Sequence, residues 1–155
     1  MDDPAEAPVE VIPLAEGDLT WVFPDLDEAG AHAVRSSLND ADGYLRALAE
    51  RLHLPPGTGG LAFQRIDGFP LAGVFGSVGG PDISFRAALY FPRRCLWDAG
   101  SGPPWTVEAA VTVPCDREDD CGDHPIAERT LSHDVPAEAA RALHALTAWL
   151  LHQSR

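Results

Sequence analysis

Across residues 105–115 the chain alternates with a period of two. Trp, Val, Ala, Val, Val and Cys hold the odd positions, and Thr, Glu, Ala, Thr and Pro the even ones. Successive side chains of a strand point to opposite faces, so this run lays one face on a core and turns the other to water. The same period recurs at residues 61–65, 71–78 and 83–91, and less regularly at 126–131. Glycines at 73 and 76 break the second of these runs. Asp67-Gly68 and Gly79-Gly80-Pro81-Asp82 separate the runs with turn chemistry, and residues 92–104 form a longer Gly/Pro-rich connection. Gly and Pro, 14 of each, favour many short elements over a helical bundle.

Two other stretches keep a helical period. Val34, Leu38, Ala41, Leu45, Leu48 and Leu52 are spaced alternately by four and three, which makes one apolar stripe. Asp25 or Asp27 is placed to cap its start, with Glu28 in the first turn, where the helix dipole favours an anion. Asn39, Asp40 and Gly43 weaken the middle and mark a point for a kink, although the stripe stays in phase. Ala139, Leu143, Leu146 and Leu150 make the second stripe, broadened by Ala142 and Trp149, with Pro136 in the first turn. Val9 to Val11 reads as an edge strand ended by Pro13, and the alternation over 19–23 reads as another short strand.

Strands joined by short turns pair antiparallel, and a sheet with one apolar face must be covered. The expected fold is therefore α+β: an antiparallel meander of about four to six strands. A long helix in the N-terminal half and a C-terminal helix cover one face of it. At 155 residues the expectation is a single domain, with residues 1–8 a frayed acidic tail.

The formal net charge is −13, and every one of the 11 basic residues is Arg. Nucleic-acid backbone and anionic membranes are held by basic patches, and Arg93-Arg94 is the only basic cluster, so neither is an expected partner. A basic protein would be steered toward this surface. The absence of Lys removes a P-loop lysine, a Schiff base and a lysine general base. G-x-G-x-x-G, H-E-x-x-H and G-x-S-x-G do not occur, so the reading leans away from an enzyme. No apolar run reaches membrane-spanning length and no signal-peptide pattern opens the sequence. A cytoplasmic address with reduced thiols is expected.

Potential ligand groups gather after the 105–115 run. Cys115, Cys121 and His124, with His133 as a fourth, are the donor types that suit zinc, although C-x5-C is wider than the usual spacing. A Cys115–Cys121 disulfide is the redox alternative. Asp116, Glu118 and Asp120 suggest calcium, but Gly122 and Glu128 each fall one place late for an EF-hand loop. Acidic neighbours raise a thiol's pKa, which disfavours a Cys–His catalytic pair here. The leading expectation is a non-catalytic, protein-binding domain of regulatory, adaptor or inhibitor type, without a cofactor, as monomer or homodimer. Its contact surface is expected on Arg93, Arg94 and Trp97 and on Asp116, Glu118, Asp119 and Asp120. The alternatives are the zinc-supported domain and a small-molecule pocket beside residues 92–104.

Overall fold

A computed structural model describes residues 9–17, 19, 22–23, 26–55, 59–66, 71–80, 82–92, 105–114 and 123–154. Six strands, β1 (Val9–Pro13), β2 (Ala62–Ile66), β3 (Leu71–Gly79), β4 (Ser84–Pro92), β5 (Trp105–Pro114) and β6 (Asp123–His133), form one sheet. Their spatial order is their chain order, and every neighbouring pair is antiparallel. Helix α1 (Glu28–Arg51) lies between β1 and β2, and α2 (Pro136–Gln153) follows β6. This is the α+β meander that the two periods dictate. No helix of the described residues is long and apolar enough to cross a membrane.

The stripe of α1 is buried as its spacing requires: Val34, Leu38, Ala41, Leu45 and Leu48 are all sealed from water. Asp27 caps the start, its Oδ1 accepting the Gly30 N–H, one of the donors the first turn leaves unpaired. The helix runs unbroken through Asn39, Asp40 and Gly43 for 24 residues, so the weak residues inside it cause no break. Packing of the stripe outweighs their propensity. The two helices pack side by side on one sheet face, α1 against β3 and α2 against β4, β5 and β6. In α2, Pro136 opens the first turn and Ala139, Ala142, Leu143, Leu146 and Leu150 are buried.

The alternation also sorts the strands as expected. Phe63, Val74, Val78, Phe85, Leu89, Val107 and Val111 face the helices and are fully buried. Trp105 joins them, tilted against Phe23 at 5.3 Å and donating from Nε1 to the Val22 carbonyl at 3.0 Å.

One expectation is corrected. Leu19, Val22 and Phe23 do not belong to a strand: the Val22 and Phe23 N–H groups both donate to the Leu19 carbonyl, in the i, i+3 and i, i+4 pattern of a helical turn. Leu19, Val22 and Phe23 are all buried. Their i, i+3, i+4 spacing is the helical one, and the alternation in so short a run was coincidental. Arg35 fixes the segment before this turn, donating to the carbonyls of Leu14 and Gly17.

Two glycines in this frame should respond oppositely to an added methyl. Gly43 lies mid-helix with nothing within 4 Å of a built Cβ, so Gly43→Ala is expected to stabilise by about 1 kcal/mol. A Cβ at Gly76 would meet the Gly60 carbonyl oxygen and Leu45 Cδ1 at 2.6 Å, so Gly76→Ala is expected to destabilise by about 1–3 kcal/mol. Urea denaturation midpoints of the two variants measure both signs.

Candidate functional site: the open face of the sheet

Both helices lie on one side, so the opposite face of the sheet has no covering layer among the described residues. Register places its side chains. Gln64, Gly73, Tyr90, Thr106 and Ser132 form one row across the sheet. Ala62, Phe75, Ala88, Glu108 and Thr130 form the next, and Ser77, Arg86, Ala110 and Glu128 the third.

The middle of this face is a groove of about 520 Å³. Gln64, Phe75, Ser77, Arg86, Ala88 and Glu108 line it together with Gly76 and Ala87 between them, and Gly59 and Gly60 make its rim. Ala88 and Ala110 are buried although they point away from the helices. Ala88 lines the groove beside Phe75, so the lining is apolar there and carries its charged groups at Arg86 and Glu108. The rim has its own cause. Gly59 and Gly60 have φ of 84° and 101°, the left-handed region open to glycine. Asp42 of α1 holds the chain just after them, its Oδ1 accepting the Leu61 N–H at 2.7 Å while its Oδ2 pairs with Arg46 at 2.8 Å.

One wall is aromatic. The Phe75 and Tyr90 rings stack with centroids 6.1 Å apart and planes 12° from parallel. Phe75 lies across Gly73, where a Cβ would stand 2.7 Å from the ring. A glycine that leaves its strand bare is thus covered by the aromatic two residues on. The strand runs unbroken from Leu71 to Gly79, so Gly73 and Gly76 do not interrupt it. The Tyr90 hydroxyl donates to Glu108 Oε2 at 3.4 Å. Burial first, and the Glu108 charge and hydrogen bond next, raise the Tyr90 pKa above its ordinary 10.0. Arg86 is exposed, lines the groove, and makes no ion pair with another described residue.

Arg93, Arg94, Trp97, Cys115, Asp116, Glu118, Asp119, Asp120 and Cys121 fall outside the described residues. Their attachment points are described. The chain leaves the sheet at Pro92 and rejoins it at Trp105 at one end of β5, and leaves at Pro114 and rejoins at Asp123 at the other. Ten residues of strand separate those ends, roughly 30 Å. The arginine-tryptophan segment and the acidic segment therefore start from opposite ends of the sheet. His124 and His133 are also separated, pairing with Val113 and Trp105 at the two ends of β6. Nine residue steps of about 3.3 Å put them roughly 30 Å apart, too far to share one ion. His133 instead lies 3.8 Å from Glu138 of α2. Among the described residues, no three His, Cys, Asp or Glu side chains gather as a metal site.

No signal in the sequence marked the groove, because alternation identifies the buried face and leaves the other as generic wet surface. Phe75, Tyr90, Arg86 and Glu108 lie on three different strands, between positions 75 and 108 of the chain, and meet only through register. No family model, curated protein or solved structure matches the chain.

Spectrophotometric titration should show tyrosinate absorbance for Tyr90 rising above pH 10.0. Glu108→Gln should lower that midpoint only partly, since burial is the larger cause. The raised pKa means the folded chain holds this proton more tightly. Its stabilising contribution is full below pH 10.0 and is lost as pH rises through the folded pKa.

Proposed function

We propose that this protein is a binding domain of adaptor or inhibitor type that takes a segment of another protein on the open face of its sheet. The observation that carries the reading is the groove itself, lined by the buried Ala88, the aromatic Phe75, and the charged Arg86 and Glu108. Aromatic and Arg side chains around a dry centre are the groups that dominate protein–protein binding energies. The groove is shallow and open along the sheet, which suits an extended segment better than an enclosed small molecule. Phe75 and Ala88 would take an apolar side chain, and Arg86 a carboxylate or carbonyl oxygen beside it. The net charge of −13 would speed encounter with a partner that is basic elsewhere, while the groove sets the fit.

The test compares three forms in a pull-down with quantitative mass spectrometry. The wild type is set beside Ser77→Arg with Arg86→Glu, and beside a form with Asp116, Glu118, Asp119 and Asp120 neutralised. Ser77 and Arg86 are exposed, so the groove variant is expected to keep the wild-type melting temperature. It should lose a specific partner at least tenfold, whereas the loop variant should weaken recovery mainly at low salt. Loss confined to the loop variant would move the contact surface to the acidic segment. Recovery unchanged in both would defeat the reading.

A further inference from the structure

The two edges of the sheet are built differently. At one edge β1 is five residues long and ends in Pro13. At the other, β6 is the longest strand, with 11 residues, and among the described residues it pairs on one side only. Short strands and proline are the usual protections of an edge, and a long edge strand exposes a row of N–H and C=O groups that can template another strand. The apolar surface points the same way. Of the four large apolar side chains exposed among the described residues, Ile126, Leu131 and Val135 lie on β6 or just beyond it. Leu131 stands in the core-facing row beside Val107 yet is 42% exposed.

We infer that β6 pairs antiparallel with β6 of a second copy, in one register, to make a continuous twelve-stranded sheet. Two constraints select the register. Alternate residues turn their N–H and C=O outward, and partners must also share a face. A two-fold axis must then pass through a residue and not between two. The pairing shift between Val111 and Thr112 and Pro125 spoil the first part of β6, which leaves residues 127–133 as the regular run. Centring the axis on Glu128 opposes two carboxylates, and centring it on Arg129 opposes two guanidinium-bearing stems. Centring it on Leu131 sets Glu128 against Asp134. Like charges directly opposite destabilise a pair.

Thr130 is the midpoint of the regular run and opposes no like charges. It sets Thr130 against Thr130, Glu128 against Ser132, Arg129 against Leu131, and Ala127 against His133. The Arg129 guanidinium is held 4.7 Å over the Trp149 ring of its own helix, which draws it away from its symmetry mate. Leu131 gains the apolar stem of the facing Arg129 as cover. The axis is normal to the sheet, so both open faces turn the same way. The β4 strands of the two copies then stand about 24 Å apart, and the assembly presents two grooves to one partner surface.

The experiment uses the full chain with Cys95, Cys115 and Cys121 replaced by Ser, first shown by native mass spectrometry to keep the wild-type oligomeric state. Single cysteines are then introduced and oxidised mildly. Thr130→Cys should link to its own mate. Glu128→Cys and Ser132→Cys should each stay unlinked alone but link when the two chains are mixed, which keeps the test valid should Thr130→Cys fold poorly. Leu131→Arg, which sets a second cation against the facing Arg129, should turn the dimer into monomer with its circular dichroism unchanged. A wild type that is monomeric across a dilution series overturns the proposal. So does a dimer in which neither Thr130→Cys nor the mixed pair links selectively. Neither overturning result touches the binding reading, which concerns the face and not the edge.

Discussion

The structure depends on a furrow across the dry face of the sheet. Gly76, Ala87 and Ala109 stand side by side on β3, β4 and β5, the smallest row on that face. Larger rows flank it: Val74, Leu89 and Val107 on one side, Val78, Phe85 and Val111 on the other. Side chains of the helices descend where the sheet is lowest, and Leu45 reaches the position that a Gly76 side chain would fill. The Gly60 carbonyl approaches the same spot. Close approach is what turns area into stability, since dispersion is lost over gaps of less than an ångström. The seat of α1 and the path of the 59–61 segment thus follow from one missing side chain.

That segment connects the core to the open face. Gly59 and Gly60 pass over β3 at Gly76 and emerge as the rim of the groove, tied back to α1 through Asp42. The rim is therefore as fixed as the helix that carries Asp42. The rest of the groove is equally preorganised: Phe75 is laid over Gly73, Tyr90 stacks on Phe75, and Glu108 accepts from Tyr90. A site whose walls are already held loses less entropy on binding than one that must be ordered. A groove on three central strands suits recognition better than one on loops for the same reason.

How much of this was legible in the sequence follows from where the physics is local. The stripe from Val34 to Leu48 and the alternation along β4 and β5 are one-dimensional signals, and both appear in the structure with their buried faces as read. The helical turn at Leu19 was misread because five residues do not distinguish a period of two from i, i+3, i+4. β6 looked irregular because the register shift beside it adds a residue and moves the phase. The groove was not legible at all. Ala88 and Ala110 are buried on the face away from the helices, and an alanine on the wet phase of a strand carries no mark of that in the sequence. The ligand-like residues between 93 and 122 stand out by composition and lie outside the described residues.

The arginines show how an acidic chain without lysine distributes its few cations. Arg35 donates to two carbonyls and lies 5.9 Å over Phe63, Arg46 pairs with Asp42, and Arg51 reaches across to the Leu151 carbonyl and Ser154. Arg129 sits over Trp149. Each joins elements distant in the chain or steadies a helix, work that the planar guanidinium does better than an ammonium. Arg86 departs from this pattern. It lies mid-strand, projects from the uncovered face, and joins no structural element among the described residues. Its row neighbour across Ala110 is Glu128, two strands and so about 10 Å of backbone away, and the two make no ion pair. Its charge is therefore available to whatever lies against the sheet. In a chain with net charge −13, Arg86 thus leaves on the lining of the groove a guanidinium that pairs with no other described residue.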